Sequence, residues 1–232
     1  MPSHFHWTTF DVSADLPPGW QKDVRDVAAN ADFREFPRTP VLSRERADVS
    51  HISRGRVHAA EVRRELPWLY EAYHTAFLRL AGQIGGSEPV TTAADDRYGV
   101  VLNVQHGTDM RFECHVDSNP LTGLLFCTDH EAGGGELVFG NDTEATDVAG
   151  VERSCSVIRA HAGHIVFFDA RTQPHYARSL LSAGAMRVVA VMNFYTKSCP
   201  ESTRPAELTS HQHRIYGNAM VPRRPRPIRV DA

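Results

Sequence analysis

Three residues of this sequence have the types and the spacing that a metal site requires: His115, Asp117 and His175. One residue separates His115 from Asp117, so in a strand both side chains point to the same face and can meet at one point. Two imidazoles and one carboxylate that occupy one face of an octahedral ion leave the opposite face open, an arrangement typical of non-haem Fe(II). The pattern therefore predicts an iron site that binds further small molecules.

The elements that must position this site are short β-rich segments, which begin at about residue 97. We predict eight strands, at residues 98–104, 110–115, 122–128, 136–140, 155–160, 164–169, 175–180 and 186–195, with turn residues between them. Eight antiparallel strands can close into a jelly roll. In a jelly roll the second and seventh strands lie side by side, which would bring His115 and Asp117 next to His175.

The predicted fold is mainly β: a double-stranded β-helix, that is, a cupin-like jelly roll, with N-terminal helices packed on one sheet. Residues 1–89 form a helical and loop region, with helices at 19–29 and 67–84 and a surface-crossing or covering loop at 35–56. Residues 90–200 form the catalytic core. Residues 201–232 form a C-terminal extension, and its proline- and arginine-rich end, 222–232, is predicted to be disordered.

Composition excludes several classes of protein. The chain has 232 residues, 41% of them hydrophobic, and a net charge of −3, so it can bury a core and is not a general polyanion binder. We expect no nucleic-acid partner. The sequence shows no signal-peptide pattern and no apolar run of membrane-spanning length, so we expect no membrane partner and a cytoplasmic location. The four cysteines are widely spaced, which favours reduced thiols.

An arginine opens the last predicted strand. Arg187 precedes an apolar run, and a buried arginine requires an anion because an unpaired buried charge costs several kcal/mol. A dicarboxylate co-substrate would supply that anion, and so would Asp169 or Glu136 in a structural ion pair. The metal residues have simpler interpretations too: His115 and His175 as ordinary strand residues, and Asp117 as a turn former before Asn119.

Residues 97–197 resemble the 2-oxoglutarate- and Fe(II)-dependent dioxygenase superfamily, and most of all its prolyl-4-hydroxylase-like branch. The matching stretches include Phe112-Glu-Cys-His-Val-Asp117, Gly133-Gly-Gly-Glu-Leu-Val-Phe139, Gly163-His-Ile-Val-Phe-Phe168 and the segment from His175 to Arg187. The resemblance implies Fe(II), 2-oxoglutarate and dioxygen as cofactor and co-substrates. It also implies oxidative decarboxylation to succinate, coupled to hydroxylation of an unactivated C–H bond.

Carried onto this sequence, the resemblance implies His115, Asp117 and His175 as iron ligands and Arg187 as the anchor of the distal carboxylate of 2-oxoglutarate. Arg187 lies slightly farther from His175 than is usual in the family, so Arg178 is the alternative anchor. Asn103 and Thr122 lie on strands expected to line the co-substrate pocket. Since Asp117 is retained, hydroxylation is favoured over halogenation, while desaturation and ring closure stay open.

For the substrate we expect a small polar metabolite, in particular a free amino acid, because two stretches also resemble small bacterial enzymes that act on amino acids. Candidate partners for its charged groups are Glu113 and Asp142 for an ammonium, and Arg97, Arg111 or Arg171 for a carboxylate. The alternatives are a hydroxylase of protein or peptide side chains and a cupin-like metal-binding isomerase without oxygen chemistry. A homodimer is left open.

Overall fold

The computed structural model of the protein describes residues 7–39, 41–46, 48–86, 88–130 and 133–216, and of residues 212–216 the backbone alone. The segment 222–232, which the sequence predicts to be disordered, lies outside these residues.

Within the described residues the chain forms eleven strands. They are β1 (Trp7–Asp11), β2 (Asp32–Pro37), β3 (His51–Val57), β4 (Val90–Thr92), β5 (Val100–His106), β6 (Leu121–Phe126), β7 (Leu137–Gly140), β8 (Cys155–Ile158), β9 (His164–Phe168), β10 (His175–Ala177) and β11 (Met186–Thr196). The helices are α1 (Trp20–Ala28), α2 (Ala59–Glu65), α3 (Pro67–His74), α4 (Ala76–Ile84), α5 (Val148–Arg153) and α6 (Ala206–Tyr216).

The strands form two antiparallel sheets. The large sheet has the order β1-β9-β6-β11-β5-β3-β2, with β4 paired to the end of β11, and the small sheet has the order β10-β7-β8. The long strand β11 is central because it pairs with β5 along one edge and with β6 along the other. The protein therefore has the predicted mainly-β, jelly-roll architecture.

Each face of the large sheet is buried against a different layer. Side chains of α1 to α4 pack on its outer face, where Val188, Ala190 and Met192 of β11 contact them in one apolar cluster. The alternate residues of β11 face the small sheet, and Val189 belongs to a second apolar cluster there. This alternation follows from the two-residue period of a strand. It places Arg187 on the face that lies between the two sheets.

The structure differs from the sequence prediction in the N-terminal part. Three strands, β1, β2 and β3, extend the large sheet from residues that we predicted to be helical or linking, and β2 and β3 include the two ends of the predicted loop 35–56. The predicted helix 67–84 is two helices, because the backbone of Thr75 leaves the helical region between α3 and α4. The predicted second strand, 110–115, is not a regular strand: it has isolated bridges at His115 and single backbone hydrogen bonds at Phe112 and Cys114.

No helix in the described part of the chain is both long and apolar enough to cross a membrane.

Candidate metal centre

The structure brings together His115, Asp117 and His175, which are far apart in the chain. One nitrogen or oxygen atom of each lies within 4.8 Å of the corresponding atoms of the other two. Nε2 of His115 is 3.2 Å from Oδ1 of Asp117, and Nε2 of His175 is 3.9 Å from Oδ2 of the same carboxylate. One metal ion could therefore contact all three side chains.

The backbone holds the two histidines opposite each other. The N–H of His115 donates to the carbonyl of His175 at 3.0 Å, and the N–H of His175 donates to the carbonyl of His115 at 2.9 Å. This reciprocal pair is the antiparallel contact expected between the second and seventh segments of a jelly roll. The spatial relation of the two histidines therefore depends on backbone hydrogen bonds.

Each histidine is also fixed in its tautomer. Nδ1 of His115 donates to the carbonyl of Glu113 at 2.7 Å, and Nδ1 of His175 donates to the carbonyl of Gln173 at 2.9 Å. A carbonyl only accepts, so Nδ1 of each histidine carries a proton and Nε2 is the nitrogen that faces Asp117. Metal-bound histidines typically show this arrangement, in which the outer nitrogen is held by a carbonyl or carboxylate.

The electrostatics of the cluster suit a cation. Burial alone would raise the pKa of Asp117, but hydrogen bonding from His115 and the nearby His175 hold it at about 2, so this group is a carboxylate at neutral pH. Burial and the nearby His115 lower the pKa of His175 to about 4, so its imidazole is neutral. Burial alone would lower the pKa of His115, but the hydrogen bond to Asp117 and the charge of that carboxylate raise it. A metal ion needs an ionised carboxylate and neutral imidazoles, so a bound cation would displace the proton that His115 shares with Asp117. The residues present fit a divalent metal.

Thr122 holds the carboxylate in place. Its hydroxyl donates to Oδ2 of Asp117 at 2.7 Å and accepts a hydrogen bond of 2.8 Å from the side-chain amide of Asn119. Thr122 also lines the cavity described below, but its hydroxyl proton is directed at Asp117. Thr122, which the sequence analysis predicts to line the co-substrate pocket, is therefore in direct contact with the candidate metal ligand Asp117.

We expect Thr122→Val to weaken metal binding about 10- to 100-fold, the usual effect of removing a hydrogen bond to a metal ligand. Isothermal titration with Fe(II) under anaerobic conditions, or with Co(II), measures the change. Thr122→Ser retains the hydroxyl and is the matched control. Equal affinities of the valine and serine variants would show that Thr122 does not position Asp117.

A cavity of about 130 Å³ adjoins the three residues, a size that suits a small molecule or a single side chain. It lies between the two sheets, and its apolar wall includes Leu124, Leu137, Phe168 and Val189. The ring of Phe168 packs edge-on against His175, with ring centroids 4.8 Å apart. This wall keeps bulk water away from one side of the metal centre.

Arg187 enters the same cavity from β11 and is only 1% exposed. Nη1 donates to Oε1 of the buried Gln105 at 3.1 Å, while Nε and Nη2 have no hydrogen-bond partner within the described residues. Burial lowers the pKa of the guanidinium to about 9. A buried guanidinium with two N–H groups still to be satisfied has the donor geometry that suits a planar oxyanion.

Other interpretations of the arginines fit the structure less well. Arg187 forms no salt bridge with Asp169 or Glu136 in the described part of the chain. Arg178, the alternative anchor, makes a bidentate ion pair with Glu152, at 2.9 and 2.6 Å, and is absent from the cavity wall. Of the two arginines, Arg187 alone can offer a free pair of donors to a molecule in the cavity.

Asn103 lies on β5 and lines the cavity as the sequence predicts. Its side chain is buried, and its Oδ1 atom has no hydrogen-bond partner among the described residues. A buried carbonyl oxygen of this kind requires a donor, which a bound molecule could supply.

The residues proposed for substrate charges lie elsewhere, and none of them is among the described residues of the cavity wall. The carboxylate of Glu113 accepts two hydrogen bonds from Thr39, Asp142 is exposed, and Arg111 pairs with Glu45 at 2.6 and 2.8 Å. Arg97 pairs with Asp95, and Nη1 of Arg171 contacts the sulfur of Cys199. Their charges are already engaged in local interactions, which explains why they do not face the cavity.

The sequence analysis missed several polar residues of the cavity, among them Thr39, Arg54, Arg56 and His211. Arg54 and Arg56 lie two residues apart on β3, so they share one face of that strand. The alternation Arg-Gly-Arg was a signal, but a segment this polar did not resemble a buried strand. His211 lies on α6, in the C-terminal extension.

The segment between β2 and β3 covers one side of the metal centre. Its backbone pairs with the segment before Asp117, since Arg44 N–H donates to the Cys114 carbonyl at 2.6 Å and Ser43 forms a bridge with His115. Glu45 stabilises this contact. Its buried carboxylate binds Arg111 bidentately and accepts the Cys114 N–H at 2.6 Å.

We expect Glu45→Ala to lower the free energy of unfolding by about 2–3 kcal/mol. This is somewhat below the ~3–5 kcal/mol for breaking a fully buried pair, because the Arg111 side chain is 29% exposed. Urea denaturation measures the loss. The matched control is Asp48→Ala, which removes the exposed Arg46–Asp48 pair of the same segment and should cost less than about 1 kcal/mol. Similar losses of unfolding free energy in the two variants would contradict the stabilising role of Glu45.

Comparison with known proteins supports the assignment of the fold. No protein-family model matches the chain, and no curated protein shows significant sequence similarity to it. Several solved structures are similar in shape. The epimerase SnoN of nogalamycin biosynthesis, solved in complex with Fe3+, alpha ketoglutarate and nogalamycin RO, has a TM-score of 0.59 and 13% identity, covering 88% of this chain and 85% of its own.

Two further structures have comparable scores. An oxidoreductase of the 2OG-Fe(II) oxygenase family from Burkholderia pseudomallei has a TM-score of 0.55 and 12% identity, covering 82% of this chain and 85% of its own. A prolyl hydroxylase from Trichoplax adhaerens was solved in complex with a hypoxia inducible factor peptide fragment. It has a TM-score of 0.58 and 13% identity, covering 86% of this chain and 88% of its own. The chain therefore has the fold of 2-oxoglutarate- and Fe(II)-dependent oxygenases.

Proposed function

We propose that this protein is an Fe(II)- and 2-oxoglutarate-dependent oxygenase that hydroxylates a C–H bond of a small polar metabolite. The single observation that carries the proposal is the convergence, in one cavity, of a His-Asp-His cluster and the buried guanidinium of Arg187. The first suits a divalent metal, and the second suits the far carboxylate of a dicarboxylate.

In this proposal His115, Asp117 and His175 hold the iron, and Arg187 binds the distal carboxylate of 2-oxoglutarate through Nε and Nη2. Bound iron would supply the oxidative decarboxylation of 2-oxoglutarate by dioxygen, which yields succinate and carbon dioxide and places one oxygen atom in the substrate. Gln105 fixes the orientation of Arg187, because its side-chain amide donates to the carbonyls of Met110 and Arg178 while its oxygen accepts from Nη1 of Arg187.

The remaining cavity residues orient and protect the reacting groups. The side-chain oxygen of Asn103 would accept a hydrogen bond from a bound molecule, and Thr122 keeps the carboxylate of Asp117 directed at the metal. The apolar wall around Phe168 and Leu124 excludes water from a reactive centre. Since Asp117 occupies the carboxylate position, no space is left there for a halide, and hydroxylation is favoured over halogenation.

The test is substrate-stimulated formation of succinate. Purified protein is incubated with Fe(II), 2-oxoglutarate and oxygen, together with a panel of free amino acids and other small polar metabolites. We expect at least one compound to raise succinate formation and to gain one oxygen atom by mass spectrometry. A product that has instead lost two hydrogens would indicate desaturation or ring closure by the same site.

Two other outcomes would replace the proposal. Stimulation by a peptide array, with oxygen gained on a side chain and no response to free metabolites, would identify a protein hydroxylase of the prolyl-4-hydroxylase type. Metal binding without any consumption of oxygen or 2-oxoglutarate, and indifferent to Arg187→Ala, would identify a cupin-like isomerase or binding protein.

A further inference from the structure

Two asparagines lie beside Thr122, the residue that holds the carboxylate of Asp117. The side-chain amide of Asn119 donates to the hydroxyl of Thr122 at 2.8 Å, and Asn193 of β11 is directly opposite Thr122 of β6. Side chains that are directly opposite each other on one face of a sheet lie about 5 Å apart. Both asparagines line the cavity, so they form part of its wall near the metal centre.

The amide nitrogens of both side chains are engaged within the protein. Nδ2 of Asn119 donates to the carbonyl of Leu121 at 2.8 Å as well as to Thr122, and Nδ2 of Asn193 donates to the carbonyl of Tyr98 at 2.6 Å. A backbone carbonyl only accepts, so these contacts identify which end of each amide is the nitrogen. The orientation of both side chains is therefore fixed by their own hydrogen bonds.

The amide oxygens of these asparagines are left as acceptors. Within the described part of the chain, no hydrogen bond reaches Oδ1 of Asn119 or Oδ1 of Asn193. Each oxygen is thus the remaining polar atom of a side chain that lines the cavity and is held in one orientation. An acceptor that loses its water to a ligand without a donor costs about 1–3 kcal/mol.

The adjoining part of the large sheet offers no donor to the two oxygens. Two residues along the strands from Asn193 and Thr122, the same face carries the apolar pair Val191 and Leu124. Arg187 lies six residues from Asn193 on β11, about 20 Å along the strand and beyond the reach of its side chain. Donors on this sheet therefore have to come from whatever fills the cavity.

The proposed co-substrate cannot supply these donors. At neutral pH 2-oxoglutarate carries two carboxylates and one keto group, and all of these groups only accept hydrogen bonds. The donors must therefore belong to the second molecule that the site binds, which is the substrate. A site built to accept hydrogen bonds discriminates strongly against an analogue that lacks the donor.

We propose that Asn119 and Asn193 recognise hydrogen-bond donors of the oxidised substrate, so that the substrate carries a hydroxyl or an ammonium group close to the metal centre. This inference rests on the proposed function and adds the chemical class of the substrate. A free amino acid fits it through its ammonium group, which binds to neutral amide oxygens instead of to Glu113 and Asp142.

The test compares compounds that differ in their donors. Binding to protein loaded with Fe(II) and 2-oxoglutarate is titrated by calorimetry without oxygen. One arm pairs free amino acids with their N,N,N-trimethyl derivatives, which keep both charges and lose every ammonium N–H, and the other arm pairs polyols with their O-methyl ethers. We expect a donor-bearing compound to bind and its methylated counterpart to bind at least about 10-fold more weakly. The arm that shows this loss distinguishes an ammonium from a hydroxyl group.

A variant separates recognition of the donor from the added bulk of the methyl groups. We expect Asn193→Leu to weaken binding of the donor-bearing compound about 10-fold, while binding of its methylated counterpart and of 2-oxoglutarate stays within about twofold. A general change in the shape of the cavity would weaken both members of a pair alike. Asn119 is less suitable for this test because it also holds Thr122.

The matched control is Asn141→Leu. Asn141 is an exposed asparagine whose side chain bonds to Ser154 and Ser156, and it is not among the described residues of the cavity wall. This variant should bind both members of each pair like the wild-type protein.

The inference is overturned if methylated compounds bind as tightly as their donor-bearing counterparts, if no donor-bearing compound binds, or if Asn193→Leu weakens both members of a pair equally. These results are distinct from failure of the proposed function. That failure would appear as wild-type protein that neither binds 2-oxoglutarate in the same calorimeter nor forms succinate in the presence of oxygen.

Discussion

Replacing His115 or Asp117 by alanine is expected to abolish metal binding and succinate formation together. Each change removes one of three atoms that lie within 4.8 Å of one another, and the two remaining atoms cannot enclose an ion. Loss of a residue that merely supports a ligand costs about 10- to 100-fold, so loss of a ligand itself should exceed about 100-fold. Anaerobic titration with Fe(II) and an assay of succinate measure the two effects.

A matched control for these variants is His161→Ala, because His161 is an exposed histidine that is not among the described residues of the cavity wall. It should bind metal and form succinate like the wild-type protein. Undiminished turnover in His115→Ala or Asp117→Ala would remove the assignment of these residues to the metal.

Replacing Arg187 by methionine is expected to raise the KM for 2-oxoglutarate about 10- to 100-fold, since hydrogen bonds to a charged group contribute about 1.5–3 kcal/mol. The same change should not destabilise the protein without co-substrate. Methionine fills much of the space, and replacing a buried charge that lacks an ionic partner is often neutral or stabilising. Steady-state kinetics and urea denaturation measure the two effects.

A raised KM for 2-oxoglutarate together with an unchanged free energy of unfolding would distinguish a co-substrate anchor from a structural residue. If Arg187 were a structural residue, its loss would lower the free energy of unfolding and leave the KM for 2-oxoglutarate unchanged. Arg187→Lys retains the charge without the planar pair of donors, so its KM should lie between those of the wild-type protein and the methionine variant.

The proximity of the three candidate metal ligands could be predicted from the sequence, because it depends on residue spacing within a strand and on the order of the strands. The spacing of His115 and Asp117 places both on one face of an extended segment. The number of β-rich segments before His175 then predicts which segments are neighbours in a jelly roll. Neither step requires knowledge of side-chain packing, and the backbone pair between His115 and His175 is the resulting contact.

The arginines of β3 were not predicted, because the usual sign of a buried strand is apolar alternation. In β3 the buried face that carries Arg54 and Arg56 meets a polar cavity instead of an apolar core. The segment was therefore mistaken for a loop. Its strand character is visible only when β5 and β2 are present on its two sides.

The partners of the charged residues near the site could not be predicted from the sequence for a related reason. Glu113 and Arg111 are close in sequence to His115, but their alternating positions direct them to the segment between β2 and β3, where Thr39 and Glu45 bind them. Sequence proximity does not reveal a partner more than sixty residues away, as the separation between Arg111 and Glu45 shows. Only the folded chain distinguishes a charge available to a ligand from one already neutralised.

The reciprocal hydrogen bonds between His115 and His175 also bear on how readily this scaffold could be redesigned. Main-chain atoms set the positions of these two side chains, whereas part of the polar lining beside them comes from residues of β3 and α6, on other parts of the fold. Mutations in those outer elements can alter which compound is accepted while the reactive centre keeps its geometry. Such separation makes the cavity-lining positions of β3 and α6 suitable for variation that leaves the three candidate metal ligands unchanged.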